Sequence, residues 1–406
     1  MTPPLASKGV DRWRRILRRA MTQRTPATGN GQQSRCIAAD VAGLRTWAEV
    51  DAAAIRHNVA ILTPPSSALL VMVKGNAYGH GAFEVARMLS ELGVDWLGVS
   101  FVDEGLALRA RKLATPILVT TEAAAGEERR AVEAELDLTV YSASAIERLA
   151  EVSARTGLIP RVHIKVNTGL NRVGVPPAAV ASLTSHALSA GLKVRSIWTH
   201  FAVAEETANP ATEVQLSLLL GAAAKVGVGA GRPWLHAANT AAILAHPHAH
   251  LDLVRAGIGA YGYLPDDQLP RADQFIPALS WRTRVTHVKR LAAGEGISYG
   301  FTARTSQPTT VATVPVGFAD GYPRNLSNRG HVLISGQRHP IIGTIAMDQM
   351  MVNCSDAPVA VGDEVTLIGA QDDQVISAEE IATLAGTIVD EILCSIHPRV
   401  PRHFVN

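Results

Sequence analysis

A (β/α)8 barrel followed by a mostly antiparallel β domain is the architecture that this sequence predicts. Three observations carry that reading. Between residues 69 and 257, eight apolar, β-rich runs alternate with stretches of helical periodicity, as parallel strands joined by crossovers do. Eight strands close a β/α barrel, and roughly 210 residues of chain suffice for one. Beyond about residue 278 the helical stretches give way to short alternating segments separated by turn residues.

Residues 1–43 stand apart. Trp13, Ile16, Leu17 and Ala20 fall at helical spacing among Arg12, Arg14, Arg15, Arg18 and Arg19, and Pro/Thr/Gly/Gln-rich sequence follows. The segment lacks the apolar stretch of a secretory signal and reads as a basic, disordered extension. From Thr46 the pattern becomes regular. The strand runs are Leu69–Val73, Trp96–Phe101, Pro116–Thr120, Leu138–Tyr141, Arg161–Val166, Val194–His200, Trp234–Ala238 and Leu253–Gly257. Apolar residues at helical spacing lie between them, such as Val85, Ala86, Leu89 and Leu92, or Ile146, Leu149 and Ala150. A doubly wound open sheet competes, but no Gly-rich dinucleotide fingerprint supports it. In the last third, Leu279–Leu291, Thr310–Val316 and Gln337–Ile345 alternate as strands, and only Ser377–Leu384 reads as a helix, opened by Ser377 and Glu380 as a capping box. The expected division is 1–43 extension, 44–276 barrel and 277–406 β domain.

Composition narrows the classes of function. Hydrophobic residues make up 47% of the chain, enough for a large core, and a net charge of +2 gives no field for nucleic acid or an anionic membrane. Cys36, Cys354 and Cys394 have neither metal-ligand spacing nor a disulfide pattern. No apolar run approaches the roughly 20 residues of a membrane helix. A cytoplasmic protein without metal, membrane or nucleic-acid partner is expected.

The chemistry is sought at the carboxyl ends of the barrel strands, where such folds place it. Lys74 ends the first strand and runs into a polar, glycine-rich turn, as either a charge for a phosphate or an amine for a carbonyl. His200 ends the sixth. The seventh leads into Asn239 and Thr240, which open a helix with free backbone N–H groups. The eighth carries Arg255, then Gly257, Ile258 and Gly259, small enough for backbone to approach an anion. A lone His200 is more often a core histidine. Together, however, a strand-end lysine and a phosphate cradle on one rim suit pyridoxal phosphate.

Val-Lys-Gly-Asn-Ala-Tyr-Gly-His-Gly at 73–81 resembles the pyridoxal-phosphate lysine signature of alanine racemases, with Gly75 where alanine is usual. The resemblance continues in order through Lys165–Gly174, Thr199-His200-Phe201, His236–Thr240, Arg255–Gly259, Ser298-Tyr299-Gly300, Gly317–Tyr322 and Gly343–Gln349. It implies a head-to-tail homodimer that interconverts L- and D-alanine for cell-wall peptidoglycan. Lys74 would hold the cofactor and act as base on one face of the substrate. Tyr299, entering from the partner subunit, would serve the other face. His200 and Arg255 would form the polar network around the cofactor, with Arg255 donating to its ring nitrogen. Tyr78, Asn239, Thr240, Gly257 and Ile258 would form the phosphate side. Arg172 and the backbone at Met347 would orient Tyr299 and hold the substrate carboxylate, with Lys165 and Asp348 in support. Lys165 matches a lysine often carbamylated in the family, but Asn167 stands where aspartate is usual, so both states stay open. Phe318 and Pro398 replace gate tyrosines, and Ala346 replaces a cysteine. A serine or broad-spectrum racemase is therefore the alternative. A decarboxylase of this architecture is disfavoured by Arg255, and a cofactor-carrier protein by the second domain.

Overall fold

The structure, a computed structural model, describes residue 41 and residues 43–226 and 231–405. The expected basic, disordered extension of residues 1–43 lies outside the described residues but for positions 41 and 43. The chain divides into two compact units, one of residues 54–277 and one that joins the stretch up to Ala53 to Ala278 and all that follows.

Strand β1 (Thr46–Asp51) corrects the expected division, which gave residues 44–53 to the barrel. It pairs antiparallel with β10 (Leu279–Arg284), with Val50 opposite Leu279, and parallel with β20 (Arg402–Val405), with Ala48 opposite Arg402. Its Thr-Trp-Ala-Glu-Val run shows that it is a strand, but a strand's partners are not written locally.

Eight parallel strands follow: β2 (Ala68–Met72), β3 (Trp96–Val99), β4 (Ile117–Val119), β5 (Asp137–Val140), β6 (Arg161–Lys165), β7 (Lys193–Trp198), β8 (Trp234–His236) and β9 (Leu253–Ala256). They pair in the order β8-β7-β6-β5-β4-β3-β2-β9. The Asp252 N–H donates to the Leu235 carbonyl at 3.0 Å and the Arg255 N–H to the Ala238 carbonyl at 3.0 Å, which brings the two ends of the ring together. All eight expected strands are present, but each stops one or two residues early. The residues beyond leave the ladder to build the rim, so Lys74 lies two residues past the end of β2 and His200 two past β7.

Helices cover the barrel as their spacing requires. In Ala82–Leu92, Val85, Ala86, Met88 and Leu89 are buried, each large side chain contributing roughly 1.5–3 kcal/mol, while Leu92 at the last position stays exposed. Ala143–Thr156 starts at Ser142, whose hydroxyl accepts from the Ala145 N–H, and stops at Gly157 in the left-handed region. Among the described residues no helix is long and apolar enough to cross a membrane.

The second unit is mostly antiparallel, with its strands in a seven-stranded, a three-stranded and a two-stranded sheet. Ser377 caps Ala378–Ala385 as expected, yet the Glu380 carboxylate pairs with Arg338 instead of closing the capping box. A second helix, Val389–Ser395, was not foreseen; its N-cap is Ile388, which offers no side-chain signal.

Asp320 pins this unit's Gly317–Tyr322 loop. Its buried carboxylate accepts from Arg45 Nη2 and Arg399 Nε, both at 2.7 Å, and from the Gly317 N–H at 2.9 Å. Burial opposes the charge, but the two arginines outweigh it and hold the carboxyl below the usual range. A carboxyl lowered in the folded state contributes stability that is present above its ordinary value of 3.8 and lost as the pH falls through the folded value. Asp320→Asn should therefore cost about 2 kcal/mol at neutral pH, kept modest because both arginines are partly exposed. Thermal melts should show the gap between wild type and variant closing as the pH falls below 3.8; a gap unchanged into acid would contradict this.

Candidate active site

The ladder of β2 ends at Met72, and Lys74 opens a left-handed turn rather than closing the strand. Gly75, Asn76, Ala77 and Tyr78 have φ of 59°, 56°, 55° and 50°. Glycine suits such a position and asparagine tolerates it, which accounts for Gly75; Ala77 and Tyr78 each cost roughly 1–2 kcal/mol. The turn is held by Ala77 N–H to the Val73 carbonyl at 2.9 Å, Gly79 N–H to Gly75 at 3.0 Å and Gly81 N–H to Asn76 at 2.9 Å. Glu104 ties it from outside: its carboxylate accepts from the N–H groups of Gly75 (2.7 Å), Ser100 (2.7 Å) and Phe101 (3.2 Å). Sequence reasoning missed Glu104, although an acid three residues into Phe101-Val-Asp-Glu104 is a capping signal.

The turn delivers Tyr78 beside Gly257. A Cβ built on Gly257 would lie 2.9 Å from the Tyr78 Oη, and one on Gly259 would lie 2.5 Å from Thr240 Cγ2, so the backbone approach at both positions needs glycine. The Gly257 N–H donates to Thr240 Oγ1 at 3.0 Å. Asn239 caps Thr240–Ala245 by accepting from the Ala242 N–H at 3.1 Å, and Ile258 opens the short helix Ile258–Tyr261. Tyr78, Thr240 and Gly257 thus meet, with Asn239 and Ile258 their immediate chain neighbours.

Arg255 points into the barrel and is only 3% exposed. Its Nη1 donates to His236 Nδ1 at 2.8 Å; its Nη2 faces the Thr199 and Ala237 carbonyls at 2.8 Å and His200 Nδ1 at 3.2 Å. Burial lowers its pKa to about 9, which leaves it charged at neutral pH. A guanidinium cannot accept, so His200 Nδ1 must, and the proton of the neutral ring sits on Nε2. Burial, then the charges of Arg255 and Lys165, hold His200 well below its ordinary value.

Lys165, the last residue of β6, is 2% exposed and its Nζ has no hydrogen-bond partner among the described residues. It lies 3.5 Å from the centre of the Trp198 ring, which Arg255 also faces at 4.8 Å. Burial, then the charges of Arg255 and Arg172, push its pKa well down. Asn167 organises the following loop: its Oδ1 accepts from the Gly169 and Asn171 N–H groups and its amide donates to Asn171 Oδ1 at 3.0 Å, a donation aspartate could not make. Arg172 extends from this loop into solvent.

In the other unit Tyr299 is 74% exposed, between Ser298 and Phe301, both at positive φ. Its loop is clipped to the Met347 loop: Thr344 Oγ1 donates to the Tyr299 carbonyl at 2.9 Å and Ser298 Oγ to the Thr344 carbonyl at 2.5 Å. Met347 is 60% exposed, its carbonyl accepting from the Ala319 N–H at 2.9 Å, and Asp348 and Phe318 are exposed beside it in sequence and in the adjoining loop.

A barrel rim with an amine after one strand and close-packed glycines after two others is the arrangement of a barrel enzyme with its chemistry at the strand ends. The comparisons give the family. Residues 50–265 match the model of the alanine racemase N-terminal domain and residues 278–404 that of the alanine racemase C-terminal domain. Alanine racemase of Symbiobacterium thermophilum is 45% identical over 371 residues, covering 90% of this chain and 98% of that one. The solved alanine racemase of Streptomyces coelicolor A3(2) superposes with a TM-score of 0.85 at 39% identity, covering 91% and 100%. The histidine racemase of Leuconostoc mesenteroides superposes at 0.82 with 31% identity, covering 89% and 98%. The chain belongs to the alanine racemase family.

The state of Lys165 is testable in the cofactor-free protein. A lysine whose folded pKa is depressed binds fewer protons than in the unfolded chain, so it penalises folding below its ordinary value of 10.5. Lys165→Met should therefore raise the melting temperature at neutral pH, with the gain shrinking toward pH 10.5. A lowered melting temperature, with the wild type alone responding to bicarbonate, would mark a carbamate instead.

Proposed function

We propose that this enzyme racemises alanine with pyridoxal phosphate and two opposed acid/base groups. The observation that carries the reading is Lys74 on a strained, braced turn that also brings Tyr78 to the glycine cradle. The cradle residues fit a phosphate: Tyr78 Oη and Thr240 Oγ1 converge on the Gly257 backbone, where no Cβ is tolerated, and the Ile258 backbone follows it. Arg255 suits a ring nitrogen, because a charged guanidinium donates and keeps its proton, so the nitrogen facing it stays unprotonated. When bound, the cofactor supplies the electron sink that makes a Cα proton removable.

The protein's own work is orientation and proton transfer. The Lys74 amine takes or returns the proton on one face, and the Tyr299 hydroxyl does so on the other. Tyr299 lies on an exposed loop with Met347, and we assign both to the site of a second copy in a head-to-tail homodimer. There Arg172 orients Tyr299, the Met347 backbone holds the substrate carboxylate, and the His200 Nε2–H supports the phenol oxygen; Asp348 and Lys165 act in support. The product is D-alanine for peptidoglycan, made in the cytoplasm. Phe318 and Pro398 favour, as the second reading, a wider amino-acid range that includes serine.

Lys74→Ala should lose the near-visible absorbance of the bound cofactor and all racemisation. Tyr299→Phe should keep that absorbance and lose about 10²–10⁴-fold in circular-dichroism decay of L-alanine. Full racemisation by Tyr299→Phe would defeat the two-base scheme. A panel of L-amino acids on the wild type should rank alanine first; equal rates with serine would favour the second reading.

A further inference from the structure

Inside the barrel, Arg255 is the end of a longer row. The interior of such barrels is ordinarily filled by Val, Ile and Leu. Here five consecutive strands each contribute one buried polar side chain to a connected row: Asp137 on β5, His163 on β6, Ser196 on β7, His236 on β8 and Arg255 on β9. They form an unbroken path. Arg255 Nη1 lies 2.8 Å from His236 Nδ1, His236 Nε2 lies 2.8 Å from Ser196 Oγ, Ser196 Oγ lies 2.6 Å from His163 Nδ1, and His163 Nε2 lies 3.3 Å from Asp137 Oδ2. Arg161 closes the far end on Asp137.

The two ends dictate every proton between them. A guanidinium only donates, so His236 Nδ1 accepts and its proton is on Nε2. That proton goes to Ser196 Oγ, leaving the hydroxyl hydrogen for His163 Nδ1. The His163 proton is then on Nε2, directed at a carboxylate that only accepts. Burial keeps both imidazoles below their ordinary values, and Asp137 is held ionised against its burial by His163 and Arg161. Packing fixes the rings as well: Trp198 stacks on His236 with 5° between planes, and Trp96 meets His163 edge-on.

We propose that Asp137, His163, Ser196 and His236 are positioning residues, a one-way hydrogen-bond chain that fixes the orientation of the Arg255 guanidinium from the opposite side of the barrel interior. Mutual satisfaction of buried polar groups does not account for the row, since apolar residues of similar volume would fill the same space at less cost. The row leads to a guanidinium whose other partners are two backbone carbonyls and His200. Its catalytic consequence rests on the cofactor reading above, but its existence does not.

Two measurements test it. Nitrogen-15 NMR of histidine-labelled, cofactor-free protein should show His163 and His236 as neutral rings protonated on Nε2 alone; His236→Gln and His163→Gln assign the signals. A cationic ring, or a proton on Nδ1 of either, overturns the chain. In the loaded enzyme, Ser196→Ala should lower kcat about 10–100-fold with KM for alanine unchanged, and Ser196→Thr should restore it. Wild-type kcat in Ser196→Ala, or equal losses in both variants, overturns the positioning role. Should the tautomers be as stated while the loaded wild type does not racemise, the functional reading fails and the chain stands.

Discussion

A guanidinium buried inside a barrel must find acceptors for its donors, and the surroundings of Arg255 are arranged to provide them. Two backbone carbonyls and two imidazoles surround its head, and none of these partners carries a negative charge. That choice has consequences outward. Each imidazole must present a bare nitrogen, so each has one tautomer, and each then offers a proton on its far side. Toward the rim, His200 becomes a neutral donor. Toward the interior, His236 passes the demand on to Ser196. A carboxylate beside Arg255 would have neutralised it more simply, but would have taken the charge that the proposed ring nitrogen meets.

Strain is the second organising cost. The turn after Lys74 holds alanine and tyrosine in a conformation that neither prefers, and it persists because backbone bonds and the Glu104 carboxylate over-determine it. The same turn sets the direction of Lys74 and brings Tyr78 to Gly257, so amine and cradle are positioned by one piece of backbone. A relaxed loop would place either of them, but not both together.

Much of this was legible in the sequence, for identifiable reasons. The eight strands show because apolar runs bounded by turn residues need no partner to be recognised, and Lys74, His200 and Arg255 stand out at or near their ends. The sheet membership of Thr46–Asp51 was not legible, because pairing with Leu279–Arg284 and Arg402–Val405 depends on residues more than two hundred positions away. Val389–Ser395 was missed for want of a cap. Asp137, His163 and Ser196 were not singled out, each being an isolated polar residue in or beside an apolar run. The usable signal was collective: one such residue on each of five neighbouring strands, with His163 and Ser196 in direct register. Glu104 was not singled out, since its bond to Gly75 joins residues 29 positions apart in the chain.

Lys74 and Tyr299 belong to different units, and Tyr299 stands 74% exposed on a loop clipped to the Met347 loop. In the proposed head-to-tail dimer the active site is a property of two chains, each lending its tyrosine to the other's lysine. Mixing two inactive variants tests this most directly. Lys74→Ala and Tyr299→Phe proteins, unfolded together and refolded with pyridoxal phosphate, should form mixed dimers in which one site has both groups intact. About a quarter of wild-type racemase activity should return, from half the dimers carrying one working site each. Complete inactivity of the mixture, with mixed dimers demonstrably formed and cofactor bound, would contradict a site shared between chains.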